Sequence, residues 1–207
     1  MAYLILVRHG ITDWNVEGRW HGLTDIPLNE EGRKQARETA KNLSKIKIDA
    51  VYTSLLCRTK QTYDEICSYL ELKCPVTSHK ALNERDYGIY TGKNKWEVEK
   101  KLGHEKFANL RRSWNCPIPK GEALKDVYER VVSFYNEQIL KDLKNGKNVL
   151  IISSGNTLRA LIKYLENISD EDIAKLELTF GEVYIYEFDR NGKILNKQTK
   201  ISDLTNS

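Results

Sequence analysis

The sequence predicts an α/β fold, a three-layer sandwich in which a mostly parallel central sheet is flanked by helices. Apolar runs of strand length alternate with helical patterns along the chain. The runs that end at Val7 and at Ile152 are each followed by polar residues, as expected where buried parallel strands reach one edge of a sheet. We therefore expect the residues after these two strands to line a single pocket.

The first half of the chain is predicted to contain two strands and two helices. The first strand covers residues 3–7, and a helix follows over Glu30–Leu43. Asn29 can cap that helix, and the acidic residues of its first turn suit the helix dipole. A strand over residues 50–52 and a helix over residues 58–70 complete this half.

The second half contains one further strand between two helices. The first of these helices covers residues 123–143 and is stopped by Asn145 and Gly146. The strand covers residues 149–152, and the last helix ends near Asn167. Residues from about 80 to 120 lack a clear period and are predicted to form an irregular substrate-binding insertion. We expect one domain over residues 1–207.

The composition argues against several functional classes. The chain has 33 Lys and Arg against 29 Asp and Glu, a net charge of +4 that is too small and too dispersed for a nucleic-acid-binding surface. It contains no apolar stretch of the roughly 20 residues that span a bilayer, nor a secretory signal, so we expect a cytoplasmic protein without membrane partners. Its four cysteines lack zinc or redox spacing and are predicted to be reduced structural thiols.

A histidine directly beside an arginine ends the first predicted strand. A neutral imidazole such as that of His9 is a good phosphoryl acceptor, because its unperturbed pKa is about 6.5 and a neighbouring cation such as Arg8 lowers it. Arg58, at the start of a helix, can reach the same edge of the sheet, and two guanidinium groups can hold a phosphoryl group. Taken alone, His9 is more simply interpreted as a polar strand-end residue with a satisfied hydrogen bond, and Arg58 as a solvated arginine at the start of a helix.

Further charged residues lie in the predicted insertion. Glu84 can donate a proton to a departing ester oxygen or remove one from an attacking hydroxyl, although an exposed ion pair with Arg85 is the simpler interpretation. Lys95, Arg111 and Arg112 form a second cationic group, which suits a substrate with a carboxylate or another phosphate away from the reacting centre. A solvated basic surface is the alternative.

Together these residues form motifs that resemble the phosphate-site signature of the histidine phosphatase superfamily. The chain is similar to the 2,3-bisphosphoglycerate-dependent phosphoglycerate mutases of that superfamily over nearly its whole length. The resemblance implies a phosphoglycerate mutase-like fold and a cytoplasmic enzyme of glycolysis and gluconeogenesis. It rests on these motifs: Arg8-His9-Gly10 with Trp14-Asn15, Arg58 in Thr-Ser-x-x-x-Arg, Leu82-Asn83-Glu84-Arg85 with Tyr87-Gly88, Asn94-Lys95, Arg111-Arg112-Ser113, and Gly155-Asn156 with Leu158-Arg159.

The resemblance also implies roles for individual residues. His9 would become phosphohistidine, Arg8 and Arg58 would hold its phosphoryl group with Asn15, and Glu84 would shuttle protons. The reaction would interconvert 2- and 3-phosphoglycerate, with 2,3-bisphosphoglycerate as primer and without a metal. A homodimer or homotetramer is implied as well. The other implied substrate-binding residues are Thr12, His21, Gly22, Arg85, Tyr87, Lys95, Arg111, Arg112, Gly155 and Asn156.

The chain departs from the family pattern at one catalytic position. The family has a second histidine immediately before the Gly-Asn pair, whereas this chain has Ser154 there. Because loss of a transition-state donor commonly costs about 10²–10³ in rate, we expect a weak enzyme, an introduced substitution, or a natural variant that only binds phosphometabolites. The chain also ends soon after Ile201, without the longer tail that covers the pocket in many mutases, so we expect a more open site.

Three functions therefore remain open. The chain is a phosphoglycerate mutase, a phosphatase of small phosphate esters in the same superfamily, or a non-catalytic phosphometabolite-binding protein. Lys95, Arg111 and Arg112 favour the mutase, since a plain phosphatase does not need a second cationic group. Ser154 is the one feature that favours the binding protein.

Overall fold

A six-stranded sheet forms the centre of the computed structural model, which describes residues 1–201 except the side chain of Ile201. The strand order is β3-β2-β4-β1-β5-β6. Strands β3, β2, β4 and β1 run parallel, whereas β5 and β6 are antiparallel to their neighbours. The bounds are β1 Ala2–Arg8, β2 Ala50–Thr53, β3 Val76–Ser78, β4 Val149–Ser153, β5 Glu182–Phe188 and β6 Ile194–Ile201.

Helices cover both faces of the sheet, which confirms the predicted α/β sandwich. One face carries α2 (Glu30–Leu43) and α3 (Cys57–Leu70), and the other carries α6 (Leu124–Phe134), α7 (Leu140–Lys144) and α8 (Gly155–Glu166). Successive residues of a strand point to opposite faces. Leu4 and Leu6 of β1 accordingly pack in the core beneath α6 and α8, and Ile5 and Val7 in the core beneath α2 and α3.

The helix predicted over residues 123–143 is present but not uniform. A wider π-helical turn, Tyr135–Ile139, separates α6 from α7. The wider turn keeps both Tyr135 and Ile139 buried in the core against the sheet. Hydrophobic spacing predicts the extent of this helix but not the change of pitch within it.

The segment predicted to be irregular is more ordered than expected. Helices α4 (Lys95–Leu102) and α5 (His104–Arg112) lie within it. A short helix that was not predicted, α1 (Asp13–Val16), lies much earlier in the chain, just after β1. Together with Trp20, the segment forms a third apolar cluster, distinct from the two cores of the sheet, through Tyr87, Val98, Phe107, Leu110 and Ile118. Buried aromatic residues thus give the insertion its own small core.

The remaining expectations concern membrane-spanning segments, the C-terminal tail, the oligomeric state and the cysteines. No helix in residues 1–201 is both long and apolar enough to cross a membrane. Residues 202–207 lie outside the described part of the chain, so the expectation of a site left open by a short tail stays a prediction, as does the oligomeric state. All four cysteines are free.

Candidate active site

A cavity of about 330 Å³ opens where β1 and β4 end. His9, which follows β1, and Gly155 and Asn156, which follow β4, all line it, so the prediction that the two strand ends share one pocket is confirmed. Of the other predicted site residues, the cavity is lined by Arg8, Asn15, His21, Glu84, Tyr87, Lys95, Arg111 and Arg112. A larger cavity of about 830 Å³ lies beside α6 and contains none of the predicted site residues.

His9 is held with one ring nitrogen free. Its Nδ1 lies 2.7 Å from the carbonyl oxygen of Gly10. Because a carbonyl only accepts hydrogen bonds, Nδ1 carries the proton and Nε2 keeps its lone pair. Burial, followed by the charges of Arg58 and Arg8, holds the pKa of His9 well below its usual range. The imidazole is therefore neutral and nucleophilic at pH 7.

Arg8 is fixed by the segment that precedes β5. Its Nη1 donates to the carbonyl oxygen of Leu178 at 2.8 Å, and its guanidinium lies 3.7 Å from the ring centroid of Phe180. Burial lowers the pKa of Arg8 to about 10. Its Nε is buried and has no hydrogen-bond partner in the part of the chain that the structure describes. Arg8 lines the cavity, and its guanidinium group is therefore suited to hold an anion there.

Arg58 is fully buried in the first turn of α3 and does not itself line the cavity. Its Nη1 donates to the carbonyl oxygen of Thr24 at 3.0 Å, and its Nη2 to that of Gly22 at 3.3 Å. Its Nε, like that of Arg8, has no hydrogen-bond partner among the described residues. Arg58 therefore anchors the loop after His21 while its charge lowers the pKa of both His9 and His21.

Glu84 lines the cavity, and its carboxyl group is held by hydrogen bonds to groups other than the side chain of Arg85. Its Oε1 accepts from the backbone N–H of Arg85 at 2.7 Å and from Nδ2 of Asn156 at 3.1 Å. The same Nδ2 donates to the hydroxyl of Tyr87 at 2.9 Å. The carboxyl group is thus oriented by residues of both the insertion and the helix after β4.

Five further cations line the cavity: Arg19, Lys95, Arg111, Arg112 and Arg159. Burial, together with Arg111 and Arg8, lowers the pKa of Lys95 to about 8. Burial and Arg112 lower the pKa of Arg111 as well. Arg112 pairs with Glu177, whose side chain is mostly exposed at the cavity mouth. Arg159, whose pKa burial lowers to about 10, completes the group. Such a concentration of positive charge suits a ligand with several negative groups.

The residues after His9 form a connected polar group. Nε2 of His21 lies 2.6 Å from Oγ1 of Thr12, which also lies 3.0 Å from Oδ1 of Asn15. Thr12 is fully buried and does not line the cavity. Gly22 also lies outside the lining; it has a φ of +52°, and a Cβ there would come within 2.6 Å of Thr91 Oγ1. These two residues position their neighbours rather than face a ligand.

The structure corrects the assignment of Arg85 to substrate binding. Its guanidinium is fully buried and points away from the cavity, toward the carbonyl oxygens of Glu122 at 2.6 Å, Leu110 at 3.2 Å and Cys116 at 3.3 Å. Arg85 therefore holds the insertion together. Ser154 is also fully buried outside the cavity lining, and its hydroxyl has no hydrogen-bond partner within residues 1–201.

Several lining residues were not predicted from the sequence. They are Arg19, Trp20, Arg159, Glu177, Leu178, Thr179 and Phe180. The segment 177–180 precedes β5, which pairs antiparallel with β1. The apolar pattern of residues 182–188 is the sequence signal for these residues. A strand that runs antiparallel to β1 begins beside the end of β1, so the segment that precedes it lies at the same edge of the sheet.

The chain is similar to known proteins over nearly its whole length. The model of the histidine phosphatase superfamily (branch 1) matches residues 4–200. A relative from Bradyrhizobium diazoefficiens, named 2,3-bisphosphoglycerate-dependent phosphoglycerate mutase, is 41% identical over 94% of this chain and 95% of its own length. The solved structure of Bacillus stearothermophilus YhfR is 28% identical with a TM-score of 0.82, covering 94% of this chain and 95% of that one. A mycobacterial glucosyl-3-phosphoglycerate phosphatase shares the fold at 21% identity, with a TM-score of 0.83 over 97% and 98% of the two chains.

Proposed function

The chain belongs to the histidine phosphatase superfamily, and from that premise we propose that it is a phosphoglycerate mutase acting through phosphohistidine at His9. The observation that carries the proposal is the neutral His9 imidazole, whose free Nε2 lies in a cavity lined by cations. The identity of 41% to a curated mutase supports the substrate class. This activity would belong to glycolysis and gluconeogenesis.

The residues of the cavity suit both halves of a phosphoryl transfer. In the first half, the Nε2 lone pair of His9 attacks phosphorus, the P–N bond forms as the ester P–O bond breaks, and Glu84 gives its proton to the departing oxygen. In the second half, the carboxylate of Glu84 removes the proton from a hydroxyl of the bound glycerate. That oxygen attacks phosphorus, and the P–N bond breaks to regenerate the imidazole.

The cations of the cavity suit a bisphosphorylated primer with a carboxylate. The charges of Arg8 and Arg58 both act on His9, and Arg8 lines the cavity in which the reacting phosphoryl group must sit. Lys95, Arg111 and Arg112 remain for the second phosphate and the carboxylate. When bound, 2,3-bisphosphoglycerate supplies the phosphoryl group that charges His9. The expectation that no metal takes part stays a prediction.

A phosphatase of small phosphate esters is the second candidate. It is favoured by Ser154, whose buried and unpartnered hydroxyl offers no donor to the cavity. With fewer groups holding the phosphoryl group, water competes better with the glycerate hydroxyl. A protein that binds phosphoglycerates without turnover remains the third.

The test is to label His9 from the primer. The protein is mixed with ³²P-labelled 2,3-bisphosphoglycerate, and an alkali-stable, acid-labile label is expected, together with primer-dependent formation of 2-phosphoglycerate from 3-phosphoglycerate. His9→Ala should abolish both. His104→Ala is the matched control, because His104 is exposed, pairs with Glu99 and lies outside the cavity lining, and it should leave both unchanged.

Two outcomes would contradict the mutase. Hydrolysis of phosphate esters that is independent of the primer, together with a short-lived label, would assign the protein to the phosphatases. Calorimetric binding of 3-phosphoglycerate without any label on His9 would make it a binding protein.

A further inference from the structure

Asn156 and Arg159 lie on the same face of the first turns of α8. They are three residues apart, a spacing that brings side chains together on a helix. Nη1 of Arg159 donates to Oδ1 of Asn156 at 3.1 Å, and this contact is buried. Both residues line the cavity, as does Glu84. The pair is therefore close to the residue that handles the proton in the proposed function.

The guanidinium group of Arg159 determines which way the amide of Asn156 faces. A guanidinium group only donates hydrogen bonds, so the atom opposite Nη1 is the amide oxygen. Nδ2 is thereby directed to the other side, where it donates to Oε1 of Glu84 at 3.1 Å and to the hydroxyl of Tyr87 at 2.9 Å. The reversed amide would place N–H groups opposite each other at Arg159 and oxygen atoms opposite each other at Glu84. Arg159 therefore excludes that orientation.

The guanidinium group is itself held on a second side. Its Nη2 donates to the carbonyl oxygens of Arg112 at 3.1 Å and of Ile173 at 2.7 Å. Both hydrogens of Nη2 are thus used, and the residue is buried. A side chain held in this way can orient a neighbouring amide without moving itself. The same two contacts also tie α8 to other segments, so an experiment has to separate this packing role from the orientation of Asn156.

The two oxygen atoms of the Glu84 carboxyl group differ as a result. Oε1 accepts from Nδ2 of Asn156 and from the backbone N–H of Arg85, so both of its in-plane lone pairs are engaged. A proton on the carboxyl group is therefore carried by Oε2. Oε2 is then the oxygen left to exchange a proton with a bound ligand.

We propose that Arg159 is a positioning residue for proton transfer: it fixes the amide of Asn156, which holds Oε1 of Glu84 and leaves Oε2 to carry the proton. This inference rests on the proposed function and adds to it a residue that acts through another. Neither Arg159 nor Asn156 makes or breaks a covalent bond in this step. Because a general acid works only within hydrogen-bonding reach of the departing oxygen, loss of the orientation should slow the step that needs the proton.

The leaving group of a phosphate ester tests this role. p-Nitrophenolate leaves readily without a proton, whereas the oxygen of ethyl phosphate needs one from Glu84. Single-turnover phosphorylation of His9 is measured over a range of concentrations of each ester. In Arg159→Met we expect the maximal rate with ethyl phosphate to fall by about 10–10²-fold, and at least about tenfold more than the rate with p-nitrophenyl phosphate. Equal losses with the two esters, or an effect confined to the half-saturating concentration, would overturn the proposal.

Two further substitutions separate orientation from bulk. Lysine only donates hydrogen bonds, so Arg159→Lys still excludes the reversed amide and should stay within about fivefold of the wild-type rate with ethyl phosphate. Glutamine both donates and accepts, so Arg159→Gln can pair with either orientation and should lose about as much as Arg159→Met. A loss in Arg159→Lys as large as that in Arg159→Met would contradict the proposal.

Lys163→Met is the matched control for packing. Lys163 is another buried cation of α8 and donates to the carbonyl oxygen of Ile168, but it lies outside the cavity lining. Its loss should lower the stability of the protein without changing the ratio of the rates with the two esters. The same change of ratio in Lys163→Met as in Arg159→Met would mean that packing of α8, rather than orientation of the amide, controls the proton transfer.

A double-mutant cycle shows whether Arg159 acts through Asn156. Asn156→Ala removes the amide, so Arg159→Met should then cost less than about twofold more with ethyl phosphate. A further loss as large as in the wild-type background would mean that Arg159 acts on the ligand directly or through packing. That outcome would contradict the proposal.

Hydrogen exchange at the Asn156 amide separates failure of this inference from failure of the proposed function. The ¹⁵N resonance of Nδ2 is assigned by its loss in Asn156→Ala. In Arg159→Met its hydrogens should exchange at least about tenfold faster than in wild type or in Lys163→Met. The readout needs no turnover: a His9 that no ester labels would remove the proposed function, whereas unchanged exchange in Arg159→Met would remove the role of Arg159. If Arg159→Met does not fold, Arg159→Lys against Arg159→Gln decides by the same readouts.

Discussion

Lys95 is the cation of the cavity whose charge is most sensitive to pH. Burial and the charges of Arg111 and Arg8 lower its pKa to about 8, whereas that of Arg8 is lowered only to about 10. The two histidines have pKa values far below 7 and stay neutral across this range. Between pH 7 and 9, Lys95 is therefore the cavity group expected to lose its charge.

We predict that anion affinity falls as the pH rises through 8. Sulfate is the probe, because its own charge is constant over this range. Only the protonated form of Lys95 attracts sulfate, while the arginines of the cavity keep their charge, so the sulfate Kd should rise by up to about tenfold between pH 7 and pH 9. The measurement is calorimetric titration at fixed ionic strength.

The control for this prediction is Lys95→Met. This variant should bind sulfate more weakly and with a Kd that hardly changes from pH 7 to 9. A wild-type Kd that is constant over the range, or a slope that persists in Lys95→Met, would contradict the role given to Lys95.

At the scale of single residues, the sequence predicted the cavity-lining residues that lie at or directly after the end of a strand. Arg8, His9 and Asn156 lie in the cavity because a parallel strand delivers the next residues to one edge of the sheet. Arg85 was assigned wrongly because it lies in a loop, where adjacent residues point in unrelated directions. Glu84 faces the cavity, whereas its neighbour is buried among carbonyl oxygens.

At the scale of elements, Arg85 joins the insertion to the rest of the molecule. Its guanidinium reaches the carbonyl oxygens of Leu110 at the end of α5, of Cys116, and of Glu122 before α6. Glu122 in turn pairs with Arg130 of α6. The helix that carries Arg111 and Arg112 is thus held by buried hydrogen bonds as well as by the apolar cluster.

We predict that Arg85→Met lowers the free energy of unfolding by about 3–5 kcal/mol, because three buried carbonyl oxygens lose a charged donor. Urea unfolding followed by tryptophan fluorescence measures the loss. The matched control is Arg33→Met, which removes only a partly exposed ion pair with Glu65 and should cost less than about 1 kcal/mol. A loss below 1 kcal/mol in Arg85→Met would show that the insertion is held by its apolar cluster alone.

The sequence predicted the elements whose period is strong. Helix α2 was predicted with its observed bounds, and β1, β2 and β4 were found within one or two residues. Strand β3 has three exposed residues and no hydrophobic signal. Helices α4 and α5 were missed because charged residues dominate them and their buried residues, such as Val98 and Phe107, face a small local cluster rather than the sheet.

At the scale of the whole molecule, the cavity concentrates positive charge at the sheet edge although the chain has a net charge of only +4. Burial lowers the pKa of Arg8, Lys95, Arg111 and Arg159, which means that their charges oppose folding in the absence of a ligand. Glu84 and Glu177 offset only part of this charge. Repulsion among these buried cations therefore lowers the stability of the unliganded protein, and an anionic ligand relieves it.

The excess of positive charge in the cavity predicts that removing a cation has opposite effects on stability without ligand and on ligand binding. A ligand at 100 times its Kd adds about 2.7 kcal/mol to the free energy of unfolding, so 2,3-bisphosphoglycerate should raise the Tm by roughly 5–10 °C. Arg111→Met should leave the Tm without ligand equal or higher, because Arg111 is a crowded cation whose observed contact is with the ring of Phe107, and it should reduce the shift with ligand. Calorimetric scans at matched ionic strength measure both, with the exposed Arg190→Met as control. A Tm of Arg111→Met that falls without ligand, while the shift with ligand is kept, would mean that Arg111 serves folding rather than binding.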